Sequence, residues 1–151
     1  DGTLVGALAV CNAFGDVYAD ASNRIIAGAR DPETGRFANT AELMRTPRGL
    51  AALGAAPVGE NTTIAVVATN VRLTKAEATK LAQMAQDGLA RTVRPAHTML
   101  DGDTIFALST GNRPCDVNIV GAFAAEVFAQ AILRAVRLAE PAGGLPAVSS
   151  L

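Results

Sequence analysis

Five consecutive apolar residues, Ile64-Ala65-Val66-Val67-Ala68, with threonines on either side and no polar alternation, suit a strand buried inside a sheet. A strand apolar on both sides needs both faces of its sheet covered, which points to a layered architecture. The run is entered from Ala55-Ala56-Pro57-Val58-Gly59-Glu60-Asn61, a loop containing Gly and Pro, so Thr62-Thr63 stand at a loop-to-strand junction. A self-cleaving amidase would hold its nucleophile at such a place. Cutting before Thr62 would give one residue both a hydroxyl and a free α-amine, and an amine with a reference pKa of about 7.7–8.0 can act as general base without a histidine. Paired threonines are also ordinary strand openers, so the junction alone leaves both readings open.

Taken in order, residues 3–11 read as a buried strand, Asn12 to Asp16 as a turn, Val17–Ala19 as a second short strand and Ile25–Ala27 as a third. Arg36 to Gly59 reads as a long connection with a short helix near Thr40–Met44, which Pro47 would end. Connections this long are usually functional or mobile, as a scissile segment just before Thr62 requires. Beyond the strand at 63–69, Thr74-Lys75-Ala76-Glu77 has capping-box spacing and predicts a helix over 75–91 with Leu81, Met84, Ala85 and Leu89 on its apolar face. Asp103 to Ser109 reads as another buried strand, Thr110 to Pro114 as a loop, and about 116–138 as a long helix. Val120, Phe123, Val127, Ala131 and Val136 mark that helix's apolar side, and the tail from Glu140 reads as loose. The class is therefore mixed, α+β.

Composition closes off several functions. With 13 Lys and Arg against 14 Asp and Glu, the net charge of -1 offers no basic field for nucleic acid or anionic lipid. Cys11 and Cys115 are far apart in the sequence, and one histidine with two dispersed cysteines makes no ligand cluster, so no metal or organic cofactor is expected. No apolar run of about 18 residues escapes polar interruption, and a soluble protein of a reducing cytoplasm is expected. The opening, Asp1-Gly2-Thr3-Leu4-Val5-Gly6, has no methionine and turns apolar almost at once, as expected of a fragment or a processed portion.

Four further positions could carry chemistry. Asp101-Gly102-Asp103 stands at the entrance of the strand at 104–109, where a bend at Gly102 would let two carboxylates approach one point and hold an amine or hydroxyl; Asp-Gly-Asp is also an ordinary solvated turn. His97 lies four residues before Asp101 and invites a hydrolase triad, although no G-x-S-x-G motif accompanies it. Cys115 precedes a helix whose N-terminus would favour a thiolate, but its sequence neighbours supply no base. Asn12 could present its amide to an oxyanion, or simply form a turn.

Together, Asp1–Leu8, Val10-Cys11-Asn12-Ala13-Phe14-Gly15-Asp16-Val17, Asn61–Asn70 and Asp101–Ala107 resemble the self-processing P1-type peptidases. That family includes the L-aminopeptidase/D-amidase enzymes, the β-aminopeptidases and the nylon-oligomer hydrolases. The Asn-Thr junction and the Asp-Gly-Asp pair look most like the endo-type 6-aminohexanoate-oligomer hydrolase. The resemblance implies an αββα layered sandwich of the N-terminal-nucleophile type, cut between Asn61 and Thr62. Residues 1–61 would then end the larger (α) subunit and residues 62–151 would form the smaller (β) subunit, with the family's N-terminal half lying before Asp1.

In that reading Thr62 is the nucleophile, Asp101 and Asp103 align its amine and hydroxyl, and Asn12 steadies the oxyanion or the substrate. The family also draws a Tyr and a Lys from its upstream half; Tyr18 does not match that position, and no Lys precedes Thr62 here. The implied partners are a small amide or peptide substrate, the chain's own upstream segment, and further copies in a homo-oligomer of processed αβ units. Nylon oligomers are the leading substrate class and N-terminal residues of peptides, amides or esters the second. An acyltransferase of the ornithine acetyltransferase kind and a non-catalytic assembly subunit are the remaining alternatives.

Overall fold

The computed structural model describes residues 2–19, 23–55 and 61–150. The loop expected to be scissile falls largely on 56–60 and lies outside the described residues. The first sheet is built on the apolar run at residues 64–68. β4 (Thr62–Val71) is its centre, flanked by β1 (Val5–Asn12), antiparallel, and by β6 (Thr104–Arg113), parallel. A second sheet has the order β3 (Arg24–Ala27), β2 (Asp16–Ala19), β5 (Val93–Arg94).

Two long helices cover one face of the first sheet. α3 (Lys75–Thr92) starts at the expected capping box: Thr74 Oγ1 accepts from Glu77 N, and the Glu77 carboxylate accepts from Thr74 N at 2.7 Å. α4 (Val117–Leu138) is apolar and long enough to cross a membrane by length and composition, but here Val120, Ala124, Phe128 and Ile132 are fully buried in the core. They meet Leu81, Ala85 and Leu89 of α3 and Ala65, Val67 and Val71 of β4. The helices come close at Gly88, where a Cβ would lie 2.3 Å from the Ala125 carbonyl oxygen.

The opposite face of this sheet is open among the described residues. Leu8, Val66 and Phe106 form one row across the three strands, Val10 and Ile64 begin the next, and Ala68 and Leu108 lie on the other side. Leu8, Val10, Ile64, Phe106 and Leu108 are all exposed. The mixed α+β class is as expected, with helices on one face of the central sheet.

Several local expectations are corrected. Pro47 does not merely stop the short helix α1 (Thr40–Leu43); it opens α2 (Pro47–Ala55), at the first helical position where proline's missing N–H costs nothing, with Thr46 Oγ1 accepting from Gly49 N. Thr110 to Arg113 continue β6 instead of looping: Thr110 Oγ1 donates to Thr69 O at 3.0 Å, and Arg72 N donates to Arg113 O at 2.9 Å. The tail is partly docked, with Ala147 buried and a short 3₁₀ turn over Val148–Ser150. Asp16, expected in a turn, is fully buried and accepts from Thr40 N, Thr40 Oγ1 and Ala29 N, tying β2 to the first residue of α1 and to the segment after β3.

Candidate active site

Strand register gathers the site. β1 and β4 pair from Val5↔Thr69 to Asn12↔Thr62, so Asn12 stands opposite Thr62 at the end of the ladder. β4 and β6 pair in parallel from Ile64↔Thr104, which lays the Asp-Gly-Asp turn beside residues 61–63, and Asn61 forms a bridge with Asp101. Three segments distant in sequence therefore meet at one sheet end.

The Asn61 carbonyl oxygen is the focus of that meeting. It accepts from Thr62 Oγ1 at 2.6 Å and from Gly102 N at 2.8 Å. A backbone N–H and a hydroxyl thus converge on the carbonyl oxygen of the peptide bond that a cut between 61 and 62 would break. Gly102 keeps that approach open: a Cβ would lie 2.9 Å from Thr62 Oγ1 and crowd it.

The two carboxylates have separate partners. Asp103 Oδ1 accepts from Thr63 N at 2.8 Å, while its Oδ2 accepts from His97 N at 3.3 Å and pairs with His97 Nδ1 at 3.0 Å. Asp101 Oδ1 accepts from Phe14 N at 3.1 Å, and its Oδ2 accepts from Thr98 N and Thr98 Oγ1 at 3.1 and 2.7 Å. Asp101 thereby fastens the turn after β1 and the turn before β6 to one another. With the Asn61–Thr62 peptide intact there is no α-amine for either carboxylate to hold. Asp103 instead reaches the peptide N–H that follows Thr62.

His97 pairs with an aspartate, Asp103, its Nδ1 lying 3.0 Å from Oδ2, and no serine or threonine hydroxyl is among the partners described for its ring. Cys115 lies apart from this sheet end, beside Thr3, Val5 and Ile119, and the helix N-terminus behind it is capped by Asp116, whose carboxylate accepts from Asn118 N at 2.7 Å. An apolar hollow bounded by Phe14, Thr40, Leu43, Met44, Ala52 and Leu53 adjoins the site through Phe14, whose N–H Asp101 holds.

Sequence reasoning placed Asn12, Asn61, Thr62, Asp101 and Asp103 in one reading, and the fold brings all five to one end of the sheet. It missed the Gly102 N–H as a donor and the Asp103–His97 pair, neither of which has a local sequence signal. Thr98 does have one, since Thr98-Met99-Leu100-Asp101 is the spacing of a side-chain-closed turn.

Residues 1–148 match the family model for peptidase family S58. The chain belongs to that family. An uncharacterized aminopeptidase of Mycobacterium leprae is 41% identical over 96% of this chain and 43% of its own length. One from Mycobacterium tuberculosis is 40% identical over 96% of this chain and 47% of its own length. A 6-aminohexanoate-oligomer endohydrolase of Kocuria is 33% identical over 51% of this chain and 25% of its own length. The S58 chain described here therefore spans a little under half the length of the curated aminopeptidases it matches.

Proposed function

We propose that this chain carries the nucleophile of a self-processing amide hydrolase, cut between Asn61 and Thr62 and acting afterwards through the N-terminal Thr62. The observation that carries the reading is the Asn61 carbonyl, held by Gly102 N–H with the Thr62 hydroxyl against it. Thr62 Oγ1 attacks the Asn61 carbonyl carbon, the C–N bond breaks, and the hydroxyl proton goes to the departing nitrogen, leaving an ester. Water then hydrolyses the ester to an Asn61 carboxylate and a Thr62 with free hydroxyl and amine. The Gly102 N–H already points at the oxygen that becomes the oxyanion, and one such donor is typically worth about 10²–10³ in rate. In the processed enzyme the same hydroxyl attacks a substrate amide to form an acyl-enzyme, with the Thr62 amine taking and returning the proton. Asp101, Asp103 and Asn12 frame that site.

Cleavage would leave the pieces 1–61 and 62–151 together, because β1 and β4 pair over eight residue pairs across the cut. The open apolar face of the first sheet supports the full αββα sandwich, with the chain's own upstream half supplying the second sheet layer. The breadth of the likeness to the mycobacterial aminopeptidases favours release of N-terminal residues from peptides, amides or esters. The narrower likeness to the oligomer endohydrolases supports linear ω-amino-acid oligomers as the second reading. The apolar hollow beside Phe14 would suit an aliphatic part of either substrate.

Denaturing intact-mass analysis of the purified protein tests the reading. Two species divided between Asn61 and Thr62 are expected, and a Thr62→Ala chain should remain whole and inactive on amides. A Thr62→Ala protein that still divides at that bond would overturn the assignment.

A further inference from the structure

We infer that His97 is a positioning residue for the cleavage at Asn61–Thr62, acting through Asp103 on the backbone of Thr63; the inference rests on the self-processing reading above. The Asp103 side chain is only 3% exposed, and a carboxylate so buried is held by its donors. Its Oδ2 accepts from the backbone N–H of His97 at 3.3 Å and lies 3.0 Å from the ring Nδ1, an arrangement that sets the rotation of the carboxylate and delivers Oδ1 to Thr63 N at 2.8 Å. The two peptide groups flanking Thr62 are then both clamped: the one before by Gly102 N–H on its carbonyl, the one after by Asp103 on its N–H. Those clamps set the Thr62 backbone and so aim its hydroxyl at Asn61.

The His97 backbone fits the role. Its φ of 56° lies in the left-handed region that Asn, Asp and His enter more readily than other side chains, and this turn brings the main-chain N–H and the ring Nδ1 to one oxygen. The ring is 40% exposed and meets Asp103 through Nδ1, 3.0 Å from Oδ2, with no bond to Asn61 or Thr62 among those described, so it would orient the carboxylate without touching the reacting atoms.

Two substitutions separate side chain from backbone. Asn at 97 tolerates the positive φ and offers an amide N–H near the place of Nδ1; Gly tolerates the φ and offers no side-chain donor. Cleavage of freshly synthesised chain is followed by intact mass over time, with thermal melts of each variant. His97→Asn is expected to cleave close to the wild-type rate and His97→Gly about 10²-fold more slowly, the usual scale for a nucleophile misplaced by about 1 Å.

A His97→Gly chain cleaving at the wild-type rate, or a His97→Asn chain as slow as His97→Gly, would overturn the positioning role. A wild type that never cleaves would overturn the self-processing reading itself. Should His97→Gly fail to fold, ¹⁵N NMR of the single imidazole in the Thr62→Ala chain decides independently. A protonated Nδ1 whose signal shifts in an added Asp103→Asn background is expected, and a ring protonated only at Nε2 overturns the proposal.

Discussion

At the Asn61 carbonyl, a side chain at position 102 would compete with the Thr62 hydroxyl for space. In Gly102→Ala the new methyl would stand 2.9 Å from Thr62 Oγ1, and the softest atom in that contact is the hydroxyl itself. The strain is relieved by turning the hydroxyl off Asn61, so the variant should fold normally yet cleave about 10²-fold more slowly, as timed intact-mass spectra would record. An unchanged rate would mean that the hydroxyl position seen here has no bearing on cleavage. The importance of this glycine is only half legible in the sequence. Gly102 between two aspartates suggests a bend, but its closeness to Thr62 follows from a strand register joining residues 40 positions apart, as the Thr63–Asp103 bond shows. Thr62, Asn61 and the two aspartates could be singled out from motif; the bonds from Gly102 N to Asn61, Thr63 N to Asp103 and Phe14 N to Asp101 could not, because those depend on which segment lies beside which.

Among the elements, those with strong local chemistry were the most legible. The Thr74–Glu77 spacing foretold where α3 begins, and the structure shows both halves of the capping box. Where an element depends on distant neighbours, local reading failed: Thr110 to Arg113 carry turn residues yet extend β6 because Thr69 and Arg72 bond to them. The capping box yields a pH prediction. Bonds from the Thr74 backbone and hydroxyl hold the Glu77 carboxyl below its ordinary 4.5. A depressed folded-state pKa means that the ionised form stabilises the fold, fully above the unfolded value, and that the gain is lost as pH falls through the folded one. Wild type should therefore melt above Glu77→Ala at pH 7, and the gap should narrow as pH drops below about 4.5. Thermal melts across pH 3–7 check it; a gap constant with pH would mean that the ionisation of Glu77 contributes nothing, and helix propensity, which favours Ala, could not supply the gap.

For the molecule as a whole, the two faces of the first sheet make a contrast that one pair of substitutions can measure. Phe128 is fully buried between the helices and the sheet, and Phe128→Ala should cost about 3–5 kcal/mol in any setting in which the chain folds. Phe106 stands on the open face, on β6 in one row with Val66 and Leu8, and is 59% exposed. In the 151-residue chain Phe106→Ala should cost less than about 1 kcal/mol, since little of the ring leaves an apolar setting. If the proposed upstream half lays its sheet on this face, the same substitution in the longer protein becomes a core truncation and should cost about as much as Phe128→Ala. Chemical denaturation of both variants in both lengths gives the comparison directly. The excess penalty at Phe106 in the longer protein reports the covering of that face, because Phe128 corrects for any general change in stability. Equal and small Phe106 effects in both lengths would mean that the apolar rows face something other than the chain's own upstream half, and the layered sandwich would have to be given up.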